Sequence, residues 1–291
     1  MVFLLGGCSD SSSAVDDGTG SRETRTSFLV PEASGTEVYN SDLASIDASN
    51  TSEGYIMVKY SGSATRIKIQ ITGVDGNTYT YTSHKGGYET FPLSVGSGNY
   101  RIDVLENVQS NLYALILTQT ISVSIGNDFD PFLYPNQYVW FTPDSEAISL
   151  GEKLSEKSTS DIDYVNKVYD YVIGNISYDS EKASNVPVDY VPDIDNTLKS
   201  GKGICFDYAS LMAAVLRSQS IPTKLVVGYS GSAYHAWISV WLEETGWVDN
   251  VIEFDGNSWS LMDPTLGAGN SDKSVKEYIG DGTNYTAKYH Y

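Results

Sequence analysis

The feature that most constrains how this chain can fold is a change of hydrophobic period along its length. Within residues 27–126, polar and apolar residues alternate, as in Arg66-Ile67-Lys68-Ile69-Gln70-Ile71. A period of two is typical of a half-buried strand. Beyond residue 143 the apolar residues instead recur at helical spacing, at Ile162, Val165, Val168, Tyr169 and Val172, with Ser160 as a candidate N-cap. A β-rich part followed by a mixed part predicts an α+β protein.

The first part, 27–126, is predicted to be an antiparallel β-sandwich. It holds five strand-like runs, one of which follows the turn signal Asp75-Gly76-Asn77. The runs are 54–60, 66–71, 79–82, 100–105 and 113–117. Residues 127–143, rich in proline and aromatic residues, are interpreted as a linker. The remaining residues, 144–291, form the second predicted domain.

The N-terminus carries an apolar run, small residues and a cysteine, Leu4-Leu5-Gly6-Gly7-Cys8. This pattern resembles the lipobox of bacterial lipoproteins, in which lipid is attached to the cysteine. Residues 1–8 are therefore interpreted as the remnant of a lipoprotein signal, with lipidation at Cys8. Residues 9–26 are rich in Ser, Asp, Gly and Thr and are predicted to be a flexible tether. We expect an exported protein, anchored by its lipid to the outer face of a bacterial membrane.

Composition and charge narrow the function classes. The formal net charge of −19 repels phosphate backbones and argues against a nucleic-acid partner. The two cysteines and the three scattered histidines show no metal-ligand spacing, so no structural zinc is expected. The sequence indicates no cofactor.

The strongest candidate for chemistry is Cys205. The glycines of Gly201-Lys202-Gly203-Ile204 give way at Cys205 to a run of good helix formers that ends near Ile221-Pro222. Cys205 is therefore expected at a helix N-terminus, where unpaired N–H groups favour the thiolate, which is the competent nucleophile. The helix is apolar nearly all round, so we expect it to be central and buried.

Two further residues could complete a catalytic triad. His235 opens the strand-like run Tyr234–Leu242, and Asp263 stands before Pro264 at the end of another. A carboxylate that accepts the ring N–H of His235 would fix the tautomer of the imidazole. Taken singly, each residue also has a credible non-catalytic interpretation: a buried inert thiol for Cys205, a sheet histidine for His235 and a turn aspartate for Asp263.

The motifs Gly203-Ile204-Cys205-Phe206-Asp207-Tyr208-Ala209, His235-Ala236-Trp237 and Trp259-Ser260-Leu261-Met262-Asp263-Pro264-Thr265 together resemble the transglutaminase-like superfamily. The resemblance covers about residues 145–270. It implies a papain-like α+β core with Cys205, His235 and Asp263 as its triad. The implied activity is acyl transfer on amide bonds through a thioester on Cys205, most simply hydrolysis of a peptide, protein or cell-wall peptide at the cell surface.

Three alternatives stay open at this point. The thioester could pass to an amine, which would make the protein a cross-linking transglutaminase. The fold could serve as a non-catalytic cell-surface binding module in which the β domain does the binding. Both domains could also act as spacers in a structural envelope protein, although that role gives the three motifs no purpose.

Overall fold

A computed structural model of the protein describes residues 22–83, 86–243, 245–249, 252–254, 259–261 and 285–291. Cys8 and Asp263 lie outside the described residues. No helix in the described ranges has the length and apolar character needed to cross a membrane.

The N-terminal half consists of two four-stranded antiparallel sheets. The first has the spatial order β1-β2-β3-β6, with strands Val38–Asn40, Ala44–Asp47, Tyr55–Tyr60 and Glu89–Pro92. The second has the order β5-β4-β7-β8, with β4 at Ile67–Thr72, β5 at Thr78–Ser83, β7 at Gly98–Gln109 and β8 at Leu112–Val123. A 3-10 turn at Thr51–Glu53 precedes β3.

The alternating sequence explains how these sheets pack. In β4, Ile67, Ile69 and Ile71 are buried, while the residues between them are partly exposed. Ile56 of the first sheet and Ile69 of the second belong to the same apolar core. The predicted antiparallel β-sandwich is confirmed.

The C-terminal half mixes helices with antiparallel strands, which confirms the α+β class. The helices among the described residues of this half are α1 Glu146–Ser155, α2 Asp161–Asn175, α3 Ser180–Asn185, α4 Ile194–Ser200 and α5 Cys205–Ser218. The main sheet has the order β13-β12-β11-β16, with β11 at Thr223–Ser230, β12 at Ala233–Leu242, β13 at Gly246–Val248 and β16 at Tyr285–His290. The structure also describes two strand pairs in this half: β9 Ser177–Tyr178 with β10 Lys202–Gly203, and β14 Ile252–Phe254 with β15 Trp259–Leu261.

Helix α5 is the centre of this half. Every residue from Asp207 to Ser218 is buried, as expected from its apolar surface. The helix packs against α1 and α2 and against strands β11 and β12. This position confirms that the cysteine-bearing helix is central. The predicted cap of α2 is also confirmed, because the Ser160 side chain accepts a hydrogen bond from the backbone N–H of Asp163.

The segment 127–143, interpreted above as a linker, packs between the two halves. Phe132, Val139 and Phe141 are each at most 5% exposed. The fully buried Arg217 of α5 donates hydrogen bonds to the backbone oxygens of Tyr134, Thr223 and Tyr291. One apolar core therefore runs through both halves, while the domain boundaries stay a prediction.

Residues 22–26, which fall in the predicted tether, lie against the helical half. The Arg22 side chain is 8% exposed and pairs with Asp161 at 2.7 Å. It also donates to the Ser155 hydroxyl and to the backbone oxygen of Gln219.

Candidate active site

Cys205 is the first residue of α5, and its thiol is free and partly exposed. Two glycines shape the approach to it. Gly201 ends α4 with φ of 61°, a left-handed conformation that favours glycine. A Cβ on Gly203 would stand 2.8 Å from the Asp207 side chain, so this position needs glycine as well. The cysteine is thereby placed at the helix N-terminus predicted from the sequence.

A buried carboxylate holds that N-terminus in place. The Asp207 side chain is fully buried and accepts a hydrogen bond from the backbone N–H of Ile204 at 2.8 Å. It also accepts from Lys182 Nζ at 2.7 Å and from the Tyr190 hydroxyl. Burial and the hydrogen bond to Asp207 raise the pKa of Tyr190, so its hydroxyl stays protonated and donates.

These three residues form the anchor cluster: Lys182, Tyr190 and Asp207. Lys182 belongs to α3, and its ammonium group lies 4.4 Å from the Tyr190 ring centroid. The cluster fixes the segment around α3 against the start of α5. The position of Asp207, three residues after the N-cap, could have indicated its capping role from sequence. No local signal marks Lys182 or Tyr190.

His235 lies near the start of β12, opposite Gly228 of β11. A Cβ on Gly228 would stand 2.1 Å from the backbone oxygen of Thr286, so glycine lets β16 approach closely here. The His235 ring stacks on Trp237 with centroids 6.2 Å apart, and Tyr285 of β16 lies 6.3 Å away. Aromatic neighbours thus restrict the orientation of the imidazole.

Cys205 and His235 line one pocket of about 620 Å³, which we call the thiol pocket. Much of the remaining wall is aromatic, and includes Tyr138, Phe206 and Tyr234. Desolvation of its hydroxyl group raises the pKa of Tyr234, and the charge of a Cys205 thiolate adds to the effect. The pocket thus combines a nucleophile, a proton carrier and a largely apolar surface.

The structure brings two of the four predicted site residues to one place. Asp263 and Cys8 lie outside the described residues, so the third triad member and the lipidation site stay predictions.

Comparison with known proteins places this half of the chain in a family. Residues 148–264 match the family model described as the transglutaminase-like superfamily. The chain therefore carries a domain of the transglutaminase-like superfamily, as its motifs indicated.

Curated proteins are similar to parts of this chain. The uncharacterized protein YebA of Bacillus subtilis (strain 168) is 26% identical over 180 residues, covering 54% of this chain and 24% of YebA. A protein-glutamine gamma-glutamyltransferase of Pseudomonas aeruginosa is 37% identical over 60 residues, 16% of this chain and 9% of that protein. The chain thus spans no more than about a quarter of the length of either relative.

Among solved structures, red sea bream transglutaminase aligns over 72% of this chain and 48% of its own, with 14% identity and a TM-score of 0.27. A likeness this distant carries no argument about activity.

Proposed function

We propose that the protein is a cysteine-dependent acyl-transfer enzyme that acts on amide bonds and releases its acyl group to water. The observation that carries the proposal is the thiol pocket, where the helix N-terminus presents Cys205 beside a strand that presents His235. The family match supports the same chemistry at the level of the superfamily.

The proposed reaction has two halves. The Cys205 thiolate attacks the amide carbonyl carbon, the C–N bond breaks, and protonated His235 gives its proton to the departing amine. Water then attacks the thioester while His235 accepts a proton from it. The acid leaves and the thiolate returns. The backbone N–H of Cys205 is proposed as one oxyanion donor.

Hydrolysis is proposed rather than amine transfer because Cys205 is partly exposed, so water, which is far more concentrated than any amine, can reach the thioester. The substrate is proposed to be a peptide, a protein or a cell-wall peptide. Asp263 is proposed to accept the far N–H of His235 and to aim its ring. A binding module without turnover is the competing function.

The first test measures the reactivity of the thiol. On protein expressed without lipidation, so that both thiols are free, iodoacetamide alkylation followed by peptide mass spectrometry should modify Cys205 faster than Cys8, which serves as an internal reference in the same chain. Alkylation of Cys205 should slow in His235→Gln, because the imidazole no longer stabilises the thiolate. Equal rates at the two cysteines would favour the binding module.

The second test measures turnover of a fluorescently labelled protein substrate, with dansylcadaverine incorporation as the readout for amine transfer. Cys205→Ala should abolish turnover, and His235→Gln should lower it by roughly 100-fold or more. Asp263→Asn should keep partial activity. His290→Gln is the matched control, since His290 lies on β16 outside the residues that line the thiol pocket. Turnover that survives in Cys205→Ala would refute the mechanism.

We also propose that the protein is exported and lipid-anchored through Cys8, on the basis of the lipobox-like pattern at 4–8. Mass spectrometry of the N-terminal peptide from the native host tests this. An unmodified Cys8 would refute it.

A further inference from the structure

A second pocket, of about 470 Å³, lies apart from the thiol pocket and shares none of its lining residues. Three stretches of chain form its wall: 88–90 from the sandwich, 137–145 from the segment 127–143 to the N-cap of α1, and 191–195 before and at the start of α4. We call it the acidic pocket. The stretch 186–190, most of which lines the thiol pocket, directly precedes the stretch 191–195 of the acidic pocket.

Two buried acceptors in its wall lack partners. Gln137 is 6% exposed, and its amide nitrogen donates to the backbone oxygen of Thr82 and to Glu89, but its Oε1 has no hydrogen-bond partner. Thr90 is fully buried, and its Oγ1 also has no partner. An unpaired buried polar atom is costly. Both side chains would therefore gain a hydrogen bond from a ligand donor if they turned toward the pocket.

The negative charge of the pocket indicates that the ligand is a cation. Asp193 and Asp195 contribute carboxylates that accept from backbone N–H groups, at 2.9 Å from Asn196 and 3.4 Å from Ala147. Neither is paired with a Lys or Arg in the part of the chain that the structure describes. No described lining residue is basic.

An aromatic surface stands beside these carboxylates. Trp140 lines the pocket and is 44% exposed, although it is a large apolar residue. Tyr88 lines it too. A partly exposed indole in the same wall as carboxylates that have no basic partner among the described residues attracts a cation with an alkyl stem, through the ring quadrupole and the apolar contact.

We propose that the acidic pocket binds a primary alkylammonium group, such as the side chain of lysine. The ammonium group supplies three hydrogen-bond donors and a positive charge, which match the acceptors and the carboxylates. The alkyl stem contacts Trp140. The site is distinct from the chemistry of Cys205, so its test does not depend on turnover.

The test is a ligand-observed NMR titration on the full chain carrying Cys205→Ala, so that no probe is consumed. The probes are Nα-acetyl-lysine amide, Nα-acetyl-norleucine amide, which keeps the stem but lacks the ammonium group, and methyl N-acetylglucosaminide. We expect saturable binding of the lysine probe, at least roughly ten-fold tighter than binding of the norleucine probe.

Variants locate the site. Asp193→Asn should weaken binding of the lysine probe by roughly five-fold while keeping the cap of α4, because asparagine is an equally good N-cap. Trp140→Leu should weaken it as well. Asp189→Asn is the matched control, since Asp189 is exposed, carries the same charge and does not line the pocket. Binding of this control variant should stay within about two-fold.

Three results overturn the proposal. One is equal binding of the lysine and norleucine probes, which removes the role of the charge. Another is binding that Asp193→Asn and Trp140→Leu leave unchanged, which places the ligand elsewhere. The third is a preference for the glucosaminide, which makes the pocket a sugar site.

Discussion

Removing Lys182 tests whether the anchor cluster holds the start of α5 in place. The change is Lys182→Met, which keeps the apolar stem and deletes the charge. It leaves the Asp207 carboxylate with the Ile204 N–H and the Tyr190 hydroxyl as donors, and without a positive charge. The Asp207 side chain is fully buried, so it cannot recover hydration.

The expected loss in the free energy of unfolding follows from how deeply the two side chains are buried. Deleting one partner of a buried ion pair costs about 3–5 kcal/mol. The Lys182 side chain keeps 26% of its surface exposed, so the screened pair belongs at the lower end, about 3 kcal/mol. Adding Asp207→Asn should recover part of that loss, because a neutral amide needs no counter-charge and its oxygen can still accept from Ile204.

The assay is urea unfolding of Lys182→Met, Asp207→Asn and the double variant, with the free energies combined in a double-mutant cycle. Lys199→Met is the control, because Lys199 is exposed at the end of α4 and should change stability by less than about 0.5 kcal/mol. The alkylation rate of Cys205 should fall in Lys182→Met. A loss below about 1 kcal/mol, or additive effects in the cycle, would refute the reasoning.

Three further predictions concern stability. Arg217→Met should lower the free energy of unfolding by about 3 kcal/mol or more, because three buried backbone oxygens lose their charged donor. The control Arg101→Met, which removes a side chain that is 58% exposed and paired with Asp103, should cost less than about 1 kcal/mol in the same urea assay. Equal losses would contradict this. Burial lowers the pKa of His290 from its ordinary 6.5, and the positive charge of Lys224 lowers it further. The folded state therefore binds the His290 proton less readily than the unfolded state. Thermal stability should therefore drop as the pH falls below about 6.5, and His290→Gln should flatten that slope, unless the dependence arises at another group. Residues 144–291 expressed alone should be insoluble or molten, because the segment 127–143 contributes buried side chains to the common core. Circular dichroism and size exclusion check this. A folded, monomeric product would show that the second domain does not need this segment.

Much of the local structure could be read from the sequence. The alternation in Ile67–Thr72 predicts a strand that is buried on one face, and the Ser160 cap predicts the start of α2. The glycines before Cys205 and the helix formers after it place the thiol at a helix N-terminus. These signals work because backbone propensity, capping and one-sided burial depend on residues close together in the chain.

The packing partners of those elements were decided by the tertiary structure alone. Strand β16 pairs with β11 across a long sequence separation, and the sequence analysis did not predict it. Lys182 and Asp207 are 25 positions apart, and the acidic pocket draws on residues from 88 to 195. The linker interpretation of 127–143 came from its prolines and aromatics, yet its apolar side chains lie in the core.

The candidate site shows the same division. Cys205 and His235 were identified from their motifs, but their shared pocket depends on how α5 packs against β12, and Asp263 stays a prediction. A residue's secondary structure is set largely by its neighbours in the chain. Its desolvation, its charge partner and its cavity depend on distant segments that come together only when the whole core packs.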